Sequence, residues 1–245
     1  MKDAPPTLVD LLRRAAGNNT TGIRVLDRDG KQAAWLPWAE VWRRALRVAG
    51  GLAARGVARG DRVALIFPTG PAFIESFFGI VAAGAVPVPL YPPVRLGRLG
   101  EYHDSAARMI DAVGAKLVLA DRGVRRLLGE TARRARPPLG CLVPDDLTGS
   151  AEAASPSPGD LALIQFSSGT TRDPKPVALS HRAVTAQAIA LNGFWPEEDG
   201  VVHSGVSWLP LYHDMGLIGC VFTALERPGT ITLIPPEAFV ASPAV

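Results

Sequence analysis

Residues 62–90 read RVALIFPTGPAFIESFFGIVAAGAVPVPL. The run 62–67 is almost wholly apolar and predicts a buried strand, residues 71–83 have the apolar spacing of a helix, and residues 86–90 predict a second buried strand. Strands that are apolar at nearly every position and are separated by a helix are typical of a parallel sheet with both faces covered. This stretch therefore predicts an α/β fold.

The same alternation continues on both sides of this stretch. Residues 144–159 are rich in Pro, Ser, Asp and Ala without periodicity, and we interpret them as an exposed connection within the domain. The pattern as a whole predicts mostly parallel sheets with helices on both faces. Further helices are predicted at 7–16, 37–55, 102–113 and 121–134, and further strands at 23–26, 32–36, 116–120, 141–143, 161–166 and from Val177 onward.

Composition and charge exclude several classes of protein. Lys and Arg number 26 against 23 Asp and Glu, and 47% of residues are hydrophobic, which predicts a globular protein with a core and no nucleic-acid partner. The longest apolar stretch, 76–90, contains Pro87 and Pro89 and predicts no membrane span. Cys141 and Cys220 have neither disulfide-framework nor zinc spacing, and the first residues lack the apolar core of a signal peptide. These features predict a cytoplasmic protein.

A loop rich in hydroxyl groups follows the strand predicted at 161–166. Residues 166–176 read FSSGTTRDPKP. The hydroxyls form a row of donors that suits phosphate, while the glycine allows close backbone approach and the lysine adds a positive charge. An ordinary polar turn has the same composition, so both interpretations stay open. The candidate phosphate-binding residues are Ser167, Ser168, Gly169, Thr170, Thr171, Arg172 and Lys175.

Two common phosphate motifs do not fit this loop. In the Walker register that starts at Gly169, Pro174 takes the place of the second glycine and Pro176 that of the Ser or Thr. No G-x-G-x-x-G follows a strand, which excludes the dinucleotide fingerprint.

A second informative stretch, residues 207–219, reads SWLPLYHDMGLIG. We predict a strand that ends near Trp208, a turn that presents His213 and Asp214, and an apolar helix from about Met215. Polar groups between a strand end and a helix are where ligands bind in open α/β sheets. Alternatively, Asp214 only caps the helix and His213 is an ordinary loop histidine.

Hydrolase and metal chemistry are not predicted. A Ser-His-Asp hydrolase needs a G-x-S-x-G elbow, which the sequence lacks. His203, His213 and Asp214 lack a convincing further ligand at metal-binding spacing, so no metal site is predicted.

Both stretches resemble one known superfamily. Residues 167–177, SSGTTRDPKPV, closely resemble the phosphate-binding signature of the adenylate-forming enzymes, which include acyl-CoA synthetases, luciferases and peptide-synthetase adenylation domains. Residues 208–219 are similar to a motif of the fatty acyl-AMP ligases. The runs 60–65 and 84–93 also resemble family sequence. The resemblance identifies residues 1–245 as the N-terminal portion of an AMP-binding domain, ending before the motifs for adenine, ribose and magnesium and before the C-terminal catalytic lysine.

Two positions depart from the signature. The family's glycine after the threonines is Arg172, and its glycine after the lysine is Pro176. A side chain is costly where a glycine has positive φ, and proline fixes φ and removes an N–H donor. These substitutions predict an altered loop or weaker nucleotide binding, unless Arg172 serves as a replacement cation.

The resemblance implies a ligase that activates a fatty acid. A fatty acid carboxylate would attack the α-phosphorus of ATP with Mg²⁺, giving acyl-AMP and pyrophosphate, and the acyl group would pass to the thiol of an acyl carrier protein or polyketide-synthase carrier domain. Lys175 and His213 would be catalytic, and the missing C-terminal portion would be a partner, so the fragment alone is not expected to catalyse. The alternative is a degenerate half-domain that binds an acyl chain or a protein without catalysis. The implied acyl-pocket residues are Trp208, His213, Asp214, Met215, Gly216 and Ile218.

Overall fold

Up to residue 180 the strands and helices follow the predicted order, apart from one predicted helix that is divided in two. The helix at 181–192, the strand at 230–233 and the last helix were not predicted. The structure is a computed structural model that describes residues 6–93, 96–167, 174–195 and 200–243. Its strands are β1 Gly22–Leu26, β2 Gln32–Pro37, β3 Arg62–Ile66, β4 Val86–Leu90, β5 Leu117–Ala120, β6 Cys141–Leu142, β7 Leu161–Phe166, β8 Pro176–Ser180, β9 Ser204–Ser207 and β10 Thr230–Leu233. Its α-helices are α1 Leu8–Ala15, α2 Trp38–Ala54, α3 Pro71–Ala82, α4 Leu99–Ala112, α5 Arg122–Arg125, α6 Gly129–Ala135, α7 His181–Asn192, α8 Asp214–Gly216, α9 Thr223–Glu226 and α10 Pro236–Ala241.

The stretch at 62–90 forms β3 and β4, which belong to an entirely parallel sheet. Its strand order is β4-β3-β5-β6. Alternate residues of β3 enter different cores: Leu65 belongs to a cluster with Phe77 of α3, and Ala64 belongs to another with Ile110 of α4. Because successive side chains of a strand point to opposite faces, α3 and α4 cover opposite faces of the sheet. The predicted fold class is therefore confirmed.

A second sheet joins the two ends of the described chain. Its order is β2-β1-β10-β9, in which β1 and β2 form an antiparallel hairpin and the other pairs are parallel. In the hairpin turn, Asp27 Oδ1 accepts the backbone N–H groups of Asp29 and Lys31, each at 2.9 Å. Ile23 pairs with Ile231, so the first strand depends on a partner that comes much later in the chain.

The helix predicted at 121–134 is divided in two. The N–H groups of Leu127 and Leu128 donate to carbonyls three residues earlier, on Val124 and Arg125, at 2.8 and 3.1 Å. This tighter winding ends α5 and turns Leu128 into the core, where it is 1% exposed. A new helix then begins at Gly129. The burial of Leu128 therefore outweighs the continuous helical pattern.

The connection at 144–159 is only partly exposed, contrary to our prediction. Pro144 and Leu147 are buried, and Leu147 packs against Gly51 of α2, where an added Cβ would lie 2.6 Å from the Leu147 Cβ. The N–H of Ala154 donates to the carbonyl of Ala82 at 2.7 Å. This segment therefore packs along α2 and α3.

His181 joins α1 to α7. Its side chain is buried, and its Nδ1 accepts the backbone N–H of Leu8 at 3.2 Å. Burial lowers the pKa of His181 to about 4, although the carboxylates of Asp160 and Asp10 favour the charged form. A protonated Nδ1 would be a donor facing the Leu8 donor, so the fold requires the neutral ring.

Acid is expected to destabilise the protein through His181. The pKa in the folded state is about 4 and the ordinary value is 6.5, so the contribution to stability is complete above 6.5 and is lost as the pH falls through 4. Between about pH 7.5 and pH 4.5 the wild type should lose roughly 2–3 kcal/mol more than His181→Asn, whose amide oxygen accepts the same N–H without titrating. Urea unfolding at both pH values measures this difference. Equal losses in the two proteins would contradict the assignment.

Among the described residues, no helix has both the length and the apolar character needed to cross a lipid bilayer.

Candidate functional site

The hydroxyl-rich loop joins two antiparallel strands, β7 and β8. At its base the N–H of Ser167 donates to the carbonyl of Lys175 at 2.9 Å, and the N–H of Lys175 donates to the Ser167 hydroxyl at 3.3 Å. Both residues are placed together at the loop entrance, and the Lys175 side chain is exposed. The other candidate phosphate-binding residues, Ser168, Gly169, Thr170, Thr171 and Arg172, lie outside the described residues.

Pro176 occupies the first position of β8, opposite Phe166. Proline is tolerated at the first residue of a strand, where its fixed φ suits extended backbone. This strand was predicted to begin one residue later, at Val177. The departure from the family's glycine is therefore accommodated by the strand that follows the loop.

Helix α7 begins directly after β8. Ser180 caps it by accepting the N–H of Ala183 on its hydroxyl at 3.2 Å. The helix carries Gln187 and Leu191 to the second informative stretch, where both side chains line the cavity described below. Strand β8 and helix α7 therefore connect the base of the hydroxyl-rich loop to the stretch at 207–219.

The turn after β9 is held by hydrogen bonds that its backbone N–H groups donate. The hydroxyl of Ser207 accepts the N–H of Leu209 at 3.2 Å, and the N–H of His213 donates to the carbonyl of Pro210 at 3.1 Å. Gly216 packs so closely against this turn that an added Cβ would lie 2.4 Å from the Pro210 carbonyl oxygen. Gly216 is thus required by packing rather than by its φ, which has the ordinary helical value of −74°.

Trp208 leaves the sheet and packs on a helix further along the chain. Its ring stacks on Phe239 of α10, with 4.4 Å between centroids and 13° between the planes. The side chain is 47% exposed. Trp208 therefore presents an aromatic face beside the turn, supported from behind by α10.

His213 and Asp214 form a pair at the start of α8. The Nδ1 of His213 lies 2.5 Å from Oδ1 of Asp214, and that oxygen also accepts the N–H of Met215 at 2.8 Å. The same Nδ1 also lies 3.4 Å from the backbone nitrogen of Met215, so it faces both an N–H donor and a carboxylate oxygen. His213 takes the N-cap position, so the alternative interpretation of Asp214 as the N-cap was wrong by one residue.

The helix that follows has a wide central turn. Leu217–Phe222 is π-helical and lies between α8 and α9, and we call the whole segment the 214–226 helix. The hydroxyl of Thr223 donates to the carbonyl of Gly219 at 2.9 Å, which adds a bond to the widened turn. One face of the helix is buried through Leu217, Val221 and Phe222. Single π turns within helices are frequent at functional sites.

A cavity of about 460 Å³ lies between α7 and the 214–226 helix. We call it the Met215 cavity. Three of the six residues implied for an acyl pocket, Asp214, Met215 and Ile218, contribute to its wall. Trp208, His213 and Gly216 instead form the turn beside it. The complete lining is Gln187, Leu191, Leu209, Asp214, Met215, Ile218, Gly219 and Cys220.

Sequence reasoning missed the contribution of α7 to this cavity. Gln187 and Leu191 belong to an ordinary helix without a motif, and only the packing of α7 on the 214–226 helix brings them to the site. Their spacing of four residues places them on one helix face, which was the single signal available.

The chain is similar to known proteins of one family. The family model for AMP-binding enzymes matches residues 12–245. A 4-hydroxyphenylalkanoate adenylyltransferase of Mycobacterium marinum is 31% identical, over 97% of this chain and 40% of that protein. A long-chain-fatty-acid–AMP ligase of Mycolicibacterium smegmatis is 32% identical, over 85% of this chain and 33% of that protein.

Solved structures show the same fold. One from work on fatty acyl-adenylate ligases of E. coli and L. pneumophila matches with a TM-score of 0.89 and 30% identity, over 97% of this chain and 43% of the other. The chain spans about 40% of the length of the curated relatives that it matches. With the family model matching almost the whole chain, this protein belongs to the AMP-binding enzyme family.

Proposed function

We propose that this chain is the N-terminal portion of a fatty acyl-AMP ligase-like enzyme. A fatty acid carboxylate oxygen would attack the α-phosphorus of ATP, the bond to the β-phosphate oxygen would break, and acyl-AMP and pyrophosphate would form. The observation that carries this proposal is the Met215 cavity, which has an apolar wall and lies beside His213 in a protein of the AMP-binding family.

The loop base, His213 and the Met215 cavity would have different parts in this reaction. The ammonium group of Lys175 and the hydroxyl of Ser167, placed at the loop entrance, would hold ATP phosphates. Nε2 of His213 would lie at the carboxylate end of the acyl chain, and the apolar wall of Met215 and Ile218 would receive the chain. The described loop base offers a hydroxyl and a cation, which suit phosphate. The lysine cation would repel Mg²⁺ and a single hydroxyl supplies at most one oxygen ligand, so the metal would come bound to the ATP phosphates.

The acceptor and location belong to the same proposal. The acyl group would pass to the phosphopantetheine thiol of a carrier protein or polyketide-synthase carrier domain, as the resemblance to fatty acyl-AMP ligases implies. Cys141 and Cys220 are free thiols, and burial raises the pKa of Cys141 to about 11. Unpaired cysteines agree with a cytoplasmic location.

One observation favours the alternative of a non-catalytic acyl-binding half-domain. Among the described residues, the lining of the Met215 cavity comes from α7, Leu209 and the 214–226 helix. These elements lie within this chain, whereas adenylation needs a full nucleotide site.

Fatty-acid binding is the first test of the site. We expect the 245-residue chain to bind palmitate in calorimetry, and Met215→Glu to weaken this binding at least about tenfold. Position 215 is 59% exposed in the free chain, so bound palmitate would have to cover and desolvate the new carboxylate and would also be repelled by it. Val240→Glu is the matched control, since Val240 is 80% exposed on α10 and should leave palmitate binding unchanged.

Titration of Mg·ATP in the same experiment tests the nucleotide site. Binding of both ligands supports the ligase portion, whereas binding of palmitate alone shows an acyl site whose nucleotide site needs residues outside this chain or has been lost. A folded chain that binds neither ligand would contradict both.

A further inference from the structure

A small cavity of about 140 Å³ lies at the end of β7 that is opposite the hydroxyl-rich loop. We call it the His181 cavity. Leu161, the first residue of β7, lines this cavity, whereas the loop follows Phe166 at the other end of the strand. A strand of this length spans about 17 Å. The His181 cavity also shares no lining residue with the Met215 cavity, so it is separate from the candidate functional site.

His181 brings a hydrogen-bond donor to this cavity. Its side chain is 3% exposed, and Nδ1 accepts the N–H of Leu8, so the proton of the neutral ring is on Nε2. Among the described residues Nε2 has no hydrogen-bond partner, yet it is not one of the fully enclosed side-chain atoms that lack one. The small exposed part of the side chain therefore includes Nε2, and the cavity that His181 lines gives access to it.

Arg59 and Asp160 add one charge of each sign to the same wall. Nη2 of Arg59 lies 2.5 Å from Oδ2 of Asp160, and this oxygen also accepts the N–H of Ser157 at 2.7 Å. These two contacts lower the pKa of Asp160, so its carboxylate is charged at neutral pH. Among the described residues, Oδ1 of Asp160 accepts no hydrogen bond and the Arg59 guanidinium donates only one. The pair thus retains an acceptor and several donors.

This set of groups selects the charge of a ligand. A metal ion does not suit it, because Nε2 of His181 already carries a proton. A simple anion would be repelled by Asp160, and a simple cation would be repelled by Arg59. A ligand with one charge of each sign is attracted by both, and Ala85 and Val86 add apolar surface for a small hydrocarbon group.

We propose that the His181 cavity binds a small free α-amino acid in its zwitterionic form. The carboxylate of the ligand accepts hydrogen bonds from Nε2 of His181 and from the Arg59 guanidinium, and its ammonium group donates to Oδ1 of Asp160. Its side chain contacts the apolar part of the wall. This site is additional to the proposed acyl activation and does not depend on it.

The test compares L-valine with two analogues that each lack one charge. Removal of the ammonium group gives 3-methylbutanoate, and removal of the carboxylate gives 2-methylpropylamine. Each ligand is titrated at neutral pH into the ¹⁵N-labelled 245-residue chain, and the amide signals of Val86 and Leu161 are followed by NMR. Valine should bind at least about tenfold more tightly than either analogue, because each analogue loses hydrogen bonds between charged groups.

Two variants test the residues of the site. Arg59→Gln removes an exposed cation, and His181→Asn keeps an acceptor for the Leu8 N–H but has no donor that reaches as far as Nε2. Each should weaken valine binding about tenfold. Arg28→Gln is the matched control, because Arg28 is an exposed arginine in the turn between β1 and β2, and it should leave valine binding unchanged.

Each result supports or overturns the proposal. A valine affinity no higher than that of either analogue would overturn the assignment of a zwitterionic ligand. Valine binding to Arg59→Gln as tight as to the wild type would overturn the role of the Arg59–Asp160 pair. If thermal unfolding shows a folded wild type whose signals valine does not perturb, the site itself is disproved.

Discussion

Gly216→Ala is expected to destabilise the protein by about 3 kcal/mol and to abolish fatty-acid binding. The new Cβ would lie 2.4 Å from the Pro210 carbonyl oxygen and 2.9 Å from that of Leu209. Both atoms belong to backbone, which cannot move aside as a flexible side chain does. The turn would have to shift, and with it His213, whose N–H is bonded to the same Pro210 carbonyl.

Urea unfolding and palmitate calorimetry measure the two effects of this substitution. Gly219→Ala is the matched control for stability, since it adds the same methyl group to the same helix where no neighbour lies within 4 Å. It should be neutral or more stable by about 0.5–1 kcal/mol, because alanine favours a helix over glycine. Equal stabilities for the two alanine variants would contradict the conclusion that close packing requires a glycine at position 216.

Phe222→Ala should cost about 3–5 kcal/mol, the usual cost of deleting a buried aromatic ring. Phe222 is 0% exposed, and its ring contacts Phe77 and Phe78 of α3 at centroid distances of 5.7 and 6.4 Å. These contacts fix the π turn of the 214–226 helix on the main core. The substitution should therefore loosen the wall of the Met215 cavity and also lower the stability of the protein.

The magnitude is checked by denaturant unfolding against two companion variants. Phe222→Leu keeps most of the volume and should cost about 1 kcal/mol. Phe194→Ala removes a ring that is 78% exposed and should change stability by less than about 0.5 kcal/mol. A cost for Phe222→Ala as small as that for Phe194→Ala would disprove the anchoring role of the α3 contacts.

The sequence predicted those parts of the fold that depend on neighbouring residues. The strands and helices between Arg62 and Ala120 were predictable because apolar runs mark the strands and glycines mark most boundaries, although α4 begins at Leu99 and not at the predicted residue 102. The pairing of β1 with β10 was not, since nothing near Ile23 indicates a partner at Ile231. The break at Leu128 escaped prediction for a similar reason, because the tertiary core and not the local pattern selects it.

The candidate site was predictable to the extent that its residues form motifs. Asp214, Met215 and Ile218 were found by resemblance and do meet at one cavity. Leu191 was missed, because a residue of an ordinary helix becomes part of a wall only when another helix packs on it.

The parallel pairing of β1 with β10 has a consequence for synthesis on the ribosome. The N-terminal hairpin emerges early, but the strand that completes its sheet follows roughly 200 residues later, a delay of about 10–40 s at usual translation rates. During that time β1 has an unpaired edge, and edges of this kind are templates for aggregation. We therefore expect nascent chains that stop before Thr230 to engage chaperones and complete nascent chains to release them.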